Sequence, residues 1–254
     1  MILDAFRLDG RAALVTGGNR GLGQAAAVAL AEAGADVALL GRTDPSSTLA
    51  RVKSLGRRAE FIECDLSSAT PGDLAAAVSD AHRALGRLDI LVNNAGIVRR
   101  ADAVDTAADD WSAVLAVDLD AVFHLCQAAG RTMLAAGSGK IVNVASMLSF
   151  QGGIRVPAYA AAKHAVAGVT KALANEWASR GVNVNAVAPG YLATDNTAAL
   201  RADPSRAAAI LDRIPAGRWG TPDDLAATVV FLASDAARYI HGAVIPVDGG
   251  WLAR

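Results

Sequence analysis

Cysteine, net charge and long apolar runs are all scarce in this sequence of 254 residues. The two cysteines, Cys64 and Cys126, form no CxxC pattern, so neither a disulfide framework nor a metal site is expected. We predict that both are buried, reduced thiols. The formal net charge is −1, which gives no sign of the basic surface that binds nucleic acid or an anionic membrane.

The N-terminal segment MILDAFRLDGR lacks the basic start and the continuous apolar stretch of a signal peptide. No run approaches the roughly 18 uncharged apolar residues that a membrane-spanning helix needs. We therefore expect a soluble, cytoplasmic protein without a membrane or nucleic-acid partner. Its ligand should be a small neutral or acidic molecule.

Short β-like runs, such as RAALVTG, DVALL, LDILVNN, KIVNVAS and VNVNAVA, alternate with alanine-rich helical segments. This alternation predicts an α/β fold, a doubly wound parallel sheet with helices on both faces, because each right-handed crossover must cover one face. A single domain over residues 1–254 is expected. The longer helices are predicted at about 47–56, 71–85, 107–136 and 157–180, and another in TPDDLAATVVFLAS, opened by a threonine cap.

One long irregular insert, at about 189–212, interrupts the pattern and is predicted to carry a short helix of its own. In a doubly wound sheet, ligands bind beyond the carboxyl ends of the strands, which is where this insert emerges. It is therefore predicted to act as a substrate lid.

A glycine-rich segment, TGGNRGLG at 16–23, follows the first strand and opens the first helix. Gly17, Gly21 and Gly23 would let the backbone turn sharply and approach a pyrophosphate, which the amides and dipole of a helix N-terminus attract. A glycine triplet alone could be only a tight turn. The strand before it and the helix after it favour a Rossmann-like dinucleotide site.

The end of the second strand bears on which nicotinamide cofactor binds. A site for NAD usually offers a carboxylate there, whereas this chain has Gly41, Arg42 and Thr43. Arg20 is expected to point to the same corner, and two guanidiniums without an acid suit the 2′-phosphate of NADP. The alternative is that both arginines are solvated, and Asp44 leaves NAD possible.

Tyr159 and Lys163 form the motif YAAAK within a predicted helix, where four-residue spacing places them on one face. A free phenol has a pKa of about 10, and a nearby cation favours the phenolate and makes it a better base. Ser146 lies thirteen residues before Tyr159, at the end of a predicted strand. The three residues would therefore meet at the edge of the sheet where ligands bind.

Together these segments resemble the short-chain dehydrogenase/reductase family over essentially the whole chain: TGxxxGxG at 16–23, NNAG at 93–96, Ser146, Tyr159-x-x-x-Lys163 and Pro189-Gly190. The resemblance implies that Tyr159 is the acid/base, that Ser146 polarises the substrate oxygen, and that Lys163 lowers the pKa of the tyrosine and binds the nicotinamide ribose. It adds further cofactor-binding residues, namely Asn19, Leu22, Asp65, Leu66, Asn93, Ala95, Gly96, Pro189, Gly190, Leu192 and Thr194.

Within that family, four segments resemble dehydrogenases of sugar acids: SFQGGIRVPAY, PGYLATDNTAALRAD, RIPAGRWG and VDGGWLAR. The similar groups are the 2-deoxy-D-gluconate 3-dehydrogenases, the 2-dehydro-3-deoxy-D-gluconate 5-dehydrogenases and the gluconate 5-dehydrogenases. The resemblance also implies a homotetramer packed through the helices at about 107–136 and 157–180, and pocket positions for Asp195, Asn196 and Trp219.

Three arginines are candidates for a substrate carboxylate. Arg99 and Arg100 follow NNAGIV at the mouth of the predicted site, and Arg155 stands four residues before Tyr159. Each could make a charge-assisted hydrogen bond to the acid. The alternative is that they are solvated loop arginines.

Asp118 departs from the family pattern W-x-x-V-x-x-V-N, which has an asparagine at that position. The resemblance implies that this residue completes a catalytic tetrad and kinks its helix. A carboxylate there would partly offset the charge of Lys163 at Tyr159. Asp120, two residues on, is predicted to be a solvated or capping residue.

Two classes of function remain after the hydrolase and P-loop patterns are excluded, since the chain has no G-x-S-x-G and its GSGK lacks the first glycine. One is an oxidoreductase acting on a sugar acid, with a carbonyl reductase for another oxo substrate as its near variant. The other is a non-catalytic dinucleotide-binding module. Intact Ser146, Tyr159 and Lys163 favour the enzyme.

Overall fold

Seven parallel strands form one sheet in the computed structural model, which describes residues 1–254. Along the sheet the order is β3-β2-β1-β4-β5-β6-β7. The strands are β1 (Ala12–Thr16), β2 (Asp36–Gly41), β3 (Ala59–Glu63), β4 (Ile90–Asn93), β5 (Gly139–Val144), β6 (Val182–Pro189) and β7 (Val244–Val247). The predicted parallel α/β architecture is confirmed.

The central strands read as continuous apolar runs because helices cover both faces of the sheet. Every residue of β1, AALVT, is buried. Its register fixes the middle of the sheet, with Ala13 opposite Val37 of β2 on one side and Ile90 of β4 on the other.

Nine α-helices surround the sheet: α1 (Gly21–Glu32), α2 (Ser46–Ser54), α3 (Pro71–Leu85), α4 (Ala108–Leu115), α5 (Ala121–Ala136), α6 (Pro157–Trp177), α7 (Ala198–Ala202), α8 (Pro204–Leu211) and α9 (Pro222–Ala233). Local sequence sets several of these boundaries. At the start of α9, the Asp224 carboxylate accepts hydrogen bonds from the backbone N–H and the hydroxyl of Thr221, at 2.7 and 3.0 Å.

Two apolar layers hold the domain together. On one face α3, α5 and α6 pack against the sheet, and on the other α1, α2 and α9 do so. Fully buried leucines lie in both layers, for example Leu125 of α5 and Leu30 of α1. Burying side chains of this size contributes about 1.5–3 kcal/mol each relative to leaving them exposed.

A single turn of π-helix, Ala116–Asp120, joins α4 to α5. By length and composition alone, the helical stretch Ala108–Ala136 could cross a membrane, a possibility that the count of uncharged residues overlooked. In this structure 56% of its most apolar window is buried inside the protein, where Val122 and Leu125 pack in the layer that α5 shares with α3. The helix is therefore part of the core.

The strand order reverses between β1 and β4, because the chain continues from β1 toward one edge of the sheet and from β4 toward the other. Ligands of doubly wound sheets bind at this point, beyond the carboxyl ends of the strands. Above this point sits the insert after β6, which carries two short helices, α7 and α8, rather than the one that was expected. Asp203 ends the first and caps the second by accepting hydrogen bonds from the backbone N–H groups of Ser205 and Arg206.

Candidate active site

A cavity of about 900 Å³ opens at the carboxyl ends of the strands, between the glycine loop, the start of α6 and the insert after β6. Of the site residues that the sequence predicted, all except Asn93, Arg155 and Trp219 line it. The structure therefore brings the predicted cofactor and catalytic residues to one place.

Backbone geometry explains the glycines of the loop between β1 and α1. Gly17 and Gly21 have φ of +65° and +55°, a region that L side chains rarely adopt. A Cβ on Gly23 would lie 2.2 Å from the carbonyl oxygen of Gly17. The loop and the start of α1 thus line the cavity with closely packed backbone, a cradle that fits a pyrophosphate at a helix N-terminus.

Asn94, which the sequence did not single out, supports this loop. Its side chain donates hydrogen bonds to the carbonyls of Thr16 and Gly17, at 2.9 and 3.2 Å. Asn93 was expected to line the cofactor groove, but its side chain is buried and donates to Asn143 Oδ1 at 2.9 Å. Consecutive side chains of a strand point to opposite faces, so the residue after Asn93 reaches the cavity instead.

The ends of β2 and β3 form the far wall of the cavity, where Arg42, Thr43 and Asp65 lie. Arg42 Nη1 is 3.6 Å from Asp65 Oδ2. Hydrogen bonds from the backbone N–H and hydroxyl of Ser67, with the nearby Arg42, lower the pKa of Asp65. Asp44 lies outside the cavity lining and accepts a hydrogen bond from the Ser46 backbone at the start of α2.

Arg20 lines the same cavity as Arg42 and also contacts the insert after β6. Its Nη1 lies 2.9 Å from Asp195 Oδ2 in the insert after β6. This ion pair joins the glycine loop to the insert, two segments that are 175 positions apart in sequence. Both partners are mostly exposed, so the pair contributes little to stability by itself.

Ser146, Tyr159 and Lys163 line the inner part of the cavity. Lys163 Nζ lies 5.5 Å from the centre of the Tyr159 ring and donates a hydrogen bond to the Val144 carbonyl at 2.8 Å. Ser146 caps a short turn, since its Oγ accepts from the Leu148 backbone at 3.1 Å. The ammonium is therefore fixed close to the phenol, as the four-residue spacing predicts.

A second serine, which the sequence did not indicate, ties these residues together. The hydroxyl of Ser149 donates to the backbone carbonyl of Lys163 at 2.6 Å and accepts from the Ser146 backbone N–H at 3.3 Å. The loop after β5 is thereby attached to α6 at the position of the lysine. This contact fixes Ser146 relative to Lys163.

Asp118 lies in the π-helical turn with its side chain fully buried. Its Oδ1 accepts a hydrogen bond from the Ile97 backbone at 2.8 Å, and its Oδ2 is 3.4 Å from Lys163 Nζ. Burial raises the pKa of Asp118, against the opposing effects of the Lys163 charge and the Ile97 N–H. Asp120, by contrast, is exposed. The structure thus brings the departure from the family pattern into contact with the lysine.

The three arginines proposed for a carboxylate have different surroundings. Arg99 lines the cavity but lies 3.2 Å from Asp110, whereas Arg100 lines it without an ion-pair partner. Arg155 lies outside the cavity lining, and its Nε is 3.1 Å from Asp102. Its backbone is left-handed, with φ of 64°, and the ion pair with Asp102 accounts for the position of its side chain.

Two further expectations need correction. Trp219 packs against Tyr191, with ring centres 5.6 Å apart, and does not line the cavity. Cys64 is only partly buried and lines the cavity, whereas Cys126 is buried, and burial raises its pKa to about 12. Both thiols are free.

Four residues of the cavity wall were not among the predicted site residues, although Tyr191 and Arg206 lie in the predicted lid at about 189–212. Tyr191, Arg206, Arg213 and Trp251 come from the insert, the segment after it and the chain's last turn. Arg213 and Trp251 lie in the segments RIPAGRWG and VDGGWLAR, whose resemblance to sugar-acid dehydrogenases does not by itself indicate which of their residues face the cavity. These residues are far apart in sequence and only the fold brings them together, so no local sequence pattern could predict that they share a wall.

Comparisons with known proteins agree with this geometry. A short-chain dehydrogenase model described as enoyl-(acyl carrier protein) reductase matches residues 17–252. The 2-dehydro-3-deoxy-D-gluconate 5-dehydrogenase of Escherichia coli K12 is 52% identical over 257 residues, covering 100% of both chains.

Two solved structures are also similar. One from Agrobacterium tumefaciens, provisionally named a 2-deoxy-D-gluconate 3-dehydrogenase with bound NADP, is 56% identical, has a TM-score of 0.91, and covers 98% of this chain and 99% of its own. The gluconate 5-dehydrogenase of Burkholderia cenocepacia J2315, in complex with NADP and tartrate, is 40% identical, has a TM-score of 0.95 and covers 100% of both chains.

Proposed function

The chain belongs to the short-chain dehydrogenase/reductase family, and we propose that it interconverts a hydroxyl and a keto group of a sugar acid with NADP as cofactor. The substrate class is that of 2-dehydro-3-deoxy-D-gluconate, with 2-deoxy-D-gluconate and D-gluconate as the close alternatives. One observation carries the proposal: Ser146, Tyr159 and Lys163 line the same cavity as the glycine loop. Relatives named for sugar acids support the substrate class.

In the oxidation direction, Tyr159 takes the proton of the substrate hydroxyl while Ser146 donates a hydrogen bond to the same oxygen. The Val144 carbonyl holds the Lys163 ammonium beside the Tyr159 ring, so a positive charge lies next to the group that exchanges the proton. When bound, NADP supplies the nicotinamide that accepts or gives the hydride. The insert after β6 would act as the lid that excludes water from this reaction.

The proposed preference for NADP depends on the end of β2. The side chains there are Arg42 and Thr43, with no carboxylate from that strand in the cavity wall. Asp44, the one acid that could suit an NAD ribose, is held at the start of α2 by the Ser46 backbone. Arg42 would bind the 2′-phosphate, and similar structures contain NADP.

We further propose that the protein is cytoplasmic and forms a homotetramer through α4, α5 and α6. Apolar rings on the surface support such an interface, since Trp111 of α4 is 40% exposed and Phe123 of α5 is 37% exposed. Exposed apolar patches are typical of sites of association. Sedimentation at micromolar concentration should show a tetramer, and a monomer alone would refute this assembly.

A steady-state matrix of both cofactors against a substrate panel tests the function. The panel contains 2-dehydro-3-deoxy-D-gluconate, 2-deoxy-D-gluconate, D-gluconate, the neutral polyol D-glucitol and an enoyl thioester. We expect the highest kcat/KM with NADP(H) and a sugar acid. Equal rates on acids and polyol would contradict the substrate class, and faster reduction of the thioester would favour another reductase. Tight NADP binding without turnover of any compound would support a non-catalytic module.

A further inference from the structure

Six arginines line the cavity: Arg20, Arg42, Arg99, Arg100, Arg206 and Arg213. The first three each lie within ion-pair distance of a carboxylate of the chain, which partly neutralises their charge. Arg100, Arg206 and Arg213 make no ion pair. These three are therefore the cavity-wall arginines whose charge no carboxylate of the chain neutralises, whereas Arg42 shares its charge with Asp65 at 3.6 Å.

Among the three, only Arg213 is held by a buried partner. Its guanidinium carbon lies 3.9 Å from the centre of the Trp251 ring. Trp251 is only 4% exposed and packs edge-on against Tyr191, with ring centres 4.8 Å apart. A guanidinium stacked on an indole keeps the N–H groups at its edge free for a carboxylate.

The same aromatic platform is attached to the catalytic residues. Trp251 belongs to a small apolar cluster that contains Met147, the residue after Ser146, and Ile214, the residue after Arg213. Tyr191 packs on this cluster and follows Pro189-Gly190 at the end of β6. Arg213 therefore lies on the substrate side of the cavity, on a wall continuous with Ser146.

The last turn of the chain, Trp251–Ala253, fixes the platform in position. The Asp248 carboxylate accepts hydrogen bonds from the backbones of Gly250 and Leu252, at 2.8 and 2.9 Å. The Ala216 N–H donates to the Gly249 carbonyl at 2.9 Å, which joins this turn to the segment that carries Arg213. The stacking of Arg213 on Trp251 thus depends on two segments that are fastened to each other.

From these contacts we propose that Arg213, stacked on Trp251, binds the carboxylate of the substrate and sets the preference for a sugar acid over a neutral polyol. This inference rests on the proposed function and names the residue that gives it its substrate class. A charge-assisted hydrogen bond of this kind discriminates about tenfold or more between ligands with and without the carboxylate.

Arg213→Gln and Arg206→Gln test the proposal, because each removes one unpaired cation from the same cavity wall. In Arg213→Gln, kcat/KM for the best sugar acid should fall about tenfold or more, while kcat/KM for its polyol and the Kd for NADP stay within about twofold. Arg213→Lys keeps the charge without the planar fork, so it should recover part of the lost selectivity. Arg206→Gln should leave the ratio of acid to polyol nearly unchanged.

Calorimetric binding of tartrate to the NADP-loaded protein gives a readout that needs no turnover. Wild type should bind tartrate at least about tenfold more tightly than Arg213→Gln does. Three outcomes would each overturn the proposal. Arg213→Gln could lose kcat/KM equally on the acid and the polyol, or it could bind tartrate as tightly as wild type. The selective loss of kcat/KM for the acid could also appear in Arg206→Gln instead. If wild type turns over no sugar acid but Arg213→Gln still loses tartrate, the carboxylate site stands and the proposed reaction fails.

Discussion

The two halves of the cavity are built in different ways. The cofactor half, formed by the glycine loop and the ends of β1 to β4, is shaped by backbone: positive φ at Gly17 and Gly21, and a contact at Gly23 that admits no side chain. The substrate half is shaped by side chains that meet from distant segments, such as Arg213 on Trp251. We therefore expect the cofactor half to be disrupted by a larger side chain, and the substrate half by the removal of a functional group.

The largest expected effect comes from Tyr159→Phe, which should stop the chemistry and leave the cofactor half intact. Because the variant has no proton to exchange with the substrate oxygen, kcat should fall roughly a thousandfold. The Kd for NADP, measured by fluorescence titration, should stay within about twofold. A comparable loss of cofactor affinity would mean that the two halves cannot be separated.

Gly23→Ala should break the cofactor half instead. The new Cβ would meet the Gly17 carbonyl oxygen at 2.2 Å, so the loop must shift away from the shape that fits a pyrophosphate. We expect the Kd for NADP to rise about tenfold to a hundredfold, since overpacking of this kind costs about 1–3 kcal/mol. Gly72→Ala is the matched control, because a Cβ there meets only Thr70 Oγ1 at an ordinary 3.6 Å. Unchanged affinity in Gly23→Ala would show that the loop has room to adjust.

Arg42→Ala sharpens the comparison by removing a functional group from the half that backbone dominates. The ratio of kcat/KM with NADP to that with NAD should fall about tenfold, because the 2′-phosphate loses a charge-assisted hydrogen bond. Arg20→Ala should change this ratio less, since Arg20 Nη1 lies 2.9 Å from Asp195 Oδ2, a closer pair than Arg42 Nη1 makes with Asp65 Oδ2 at 3.6 Å. An unchanged ratio of kcat/KM with NADP to that with NAD in Arg42→Ala would show that Arg42 does not bind the 2′-phosphate.

Asp118→Asn probes the junction of the two halves. The carboxylate lies 3.4 Å from Lys163 Nζ, so we expect it to offset part of the positive field that the ammonium exerts on Tyr159. The pH at which the oxidation rate rises should therefore be lower in the variant than in wild type, by less than about one pH unit. Superimposable pH–rate profiles would show that the charge of Asp118 does not reach the reaction.

The smallest effect concerns stability in the same variant. Burial raises the pKa of Asp118, so the native state binds this proton more tightly than the unfolded chain does. As pH rises from the unfolded pKa of about 3.9 through the native one, wild type should lose unfolding free energy relative to Asp118→Asn. Thermal unfolding of the two proteins at several values between about pH 4 and pH 7 measures this slope. A difference in Tm that does not change with pH would contradict it.

Local motifs explain why so much of the fold and the cofactor half could be predicted. The segment TGGNRGLG lies within one turn and the start of one helix, and Tyr159 and Lys163 lie within a single helix. Their relative positions therefore follow from local sequence alone. The alternation of strands and helices likewise places Ser146 at the carboxyl edge of the sheet. Such features depend on few long-range contacts.

The predictions that the structure contradicts have a common physical origin. Arg155 pairs with Asp102 outside the cavity lining, and no composition or period identifies that partner. Asn93 and Asn94 are adjacent, and a shift of one position along the strand reverses which of them faces the cavity. Where side chains from distant segments decide the site, the tertiary structure is needed.

The fastening of the final turn has a practical meaning for handling the protein. Arg254 donates a hydrogen bond to the Asp212 carbonyl, and Asp248 holds the turn that carries Trp251. An affinity tag fused to this end would crowd the wall that faces the substrate, and trimming by a carboxypeptidase would loosen it. The opposite end, where Ile2–Phe6 contains no buried residue, is the safer place for a tag or a surface tether.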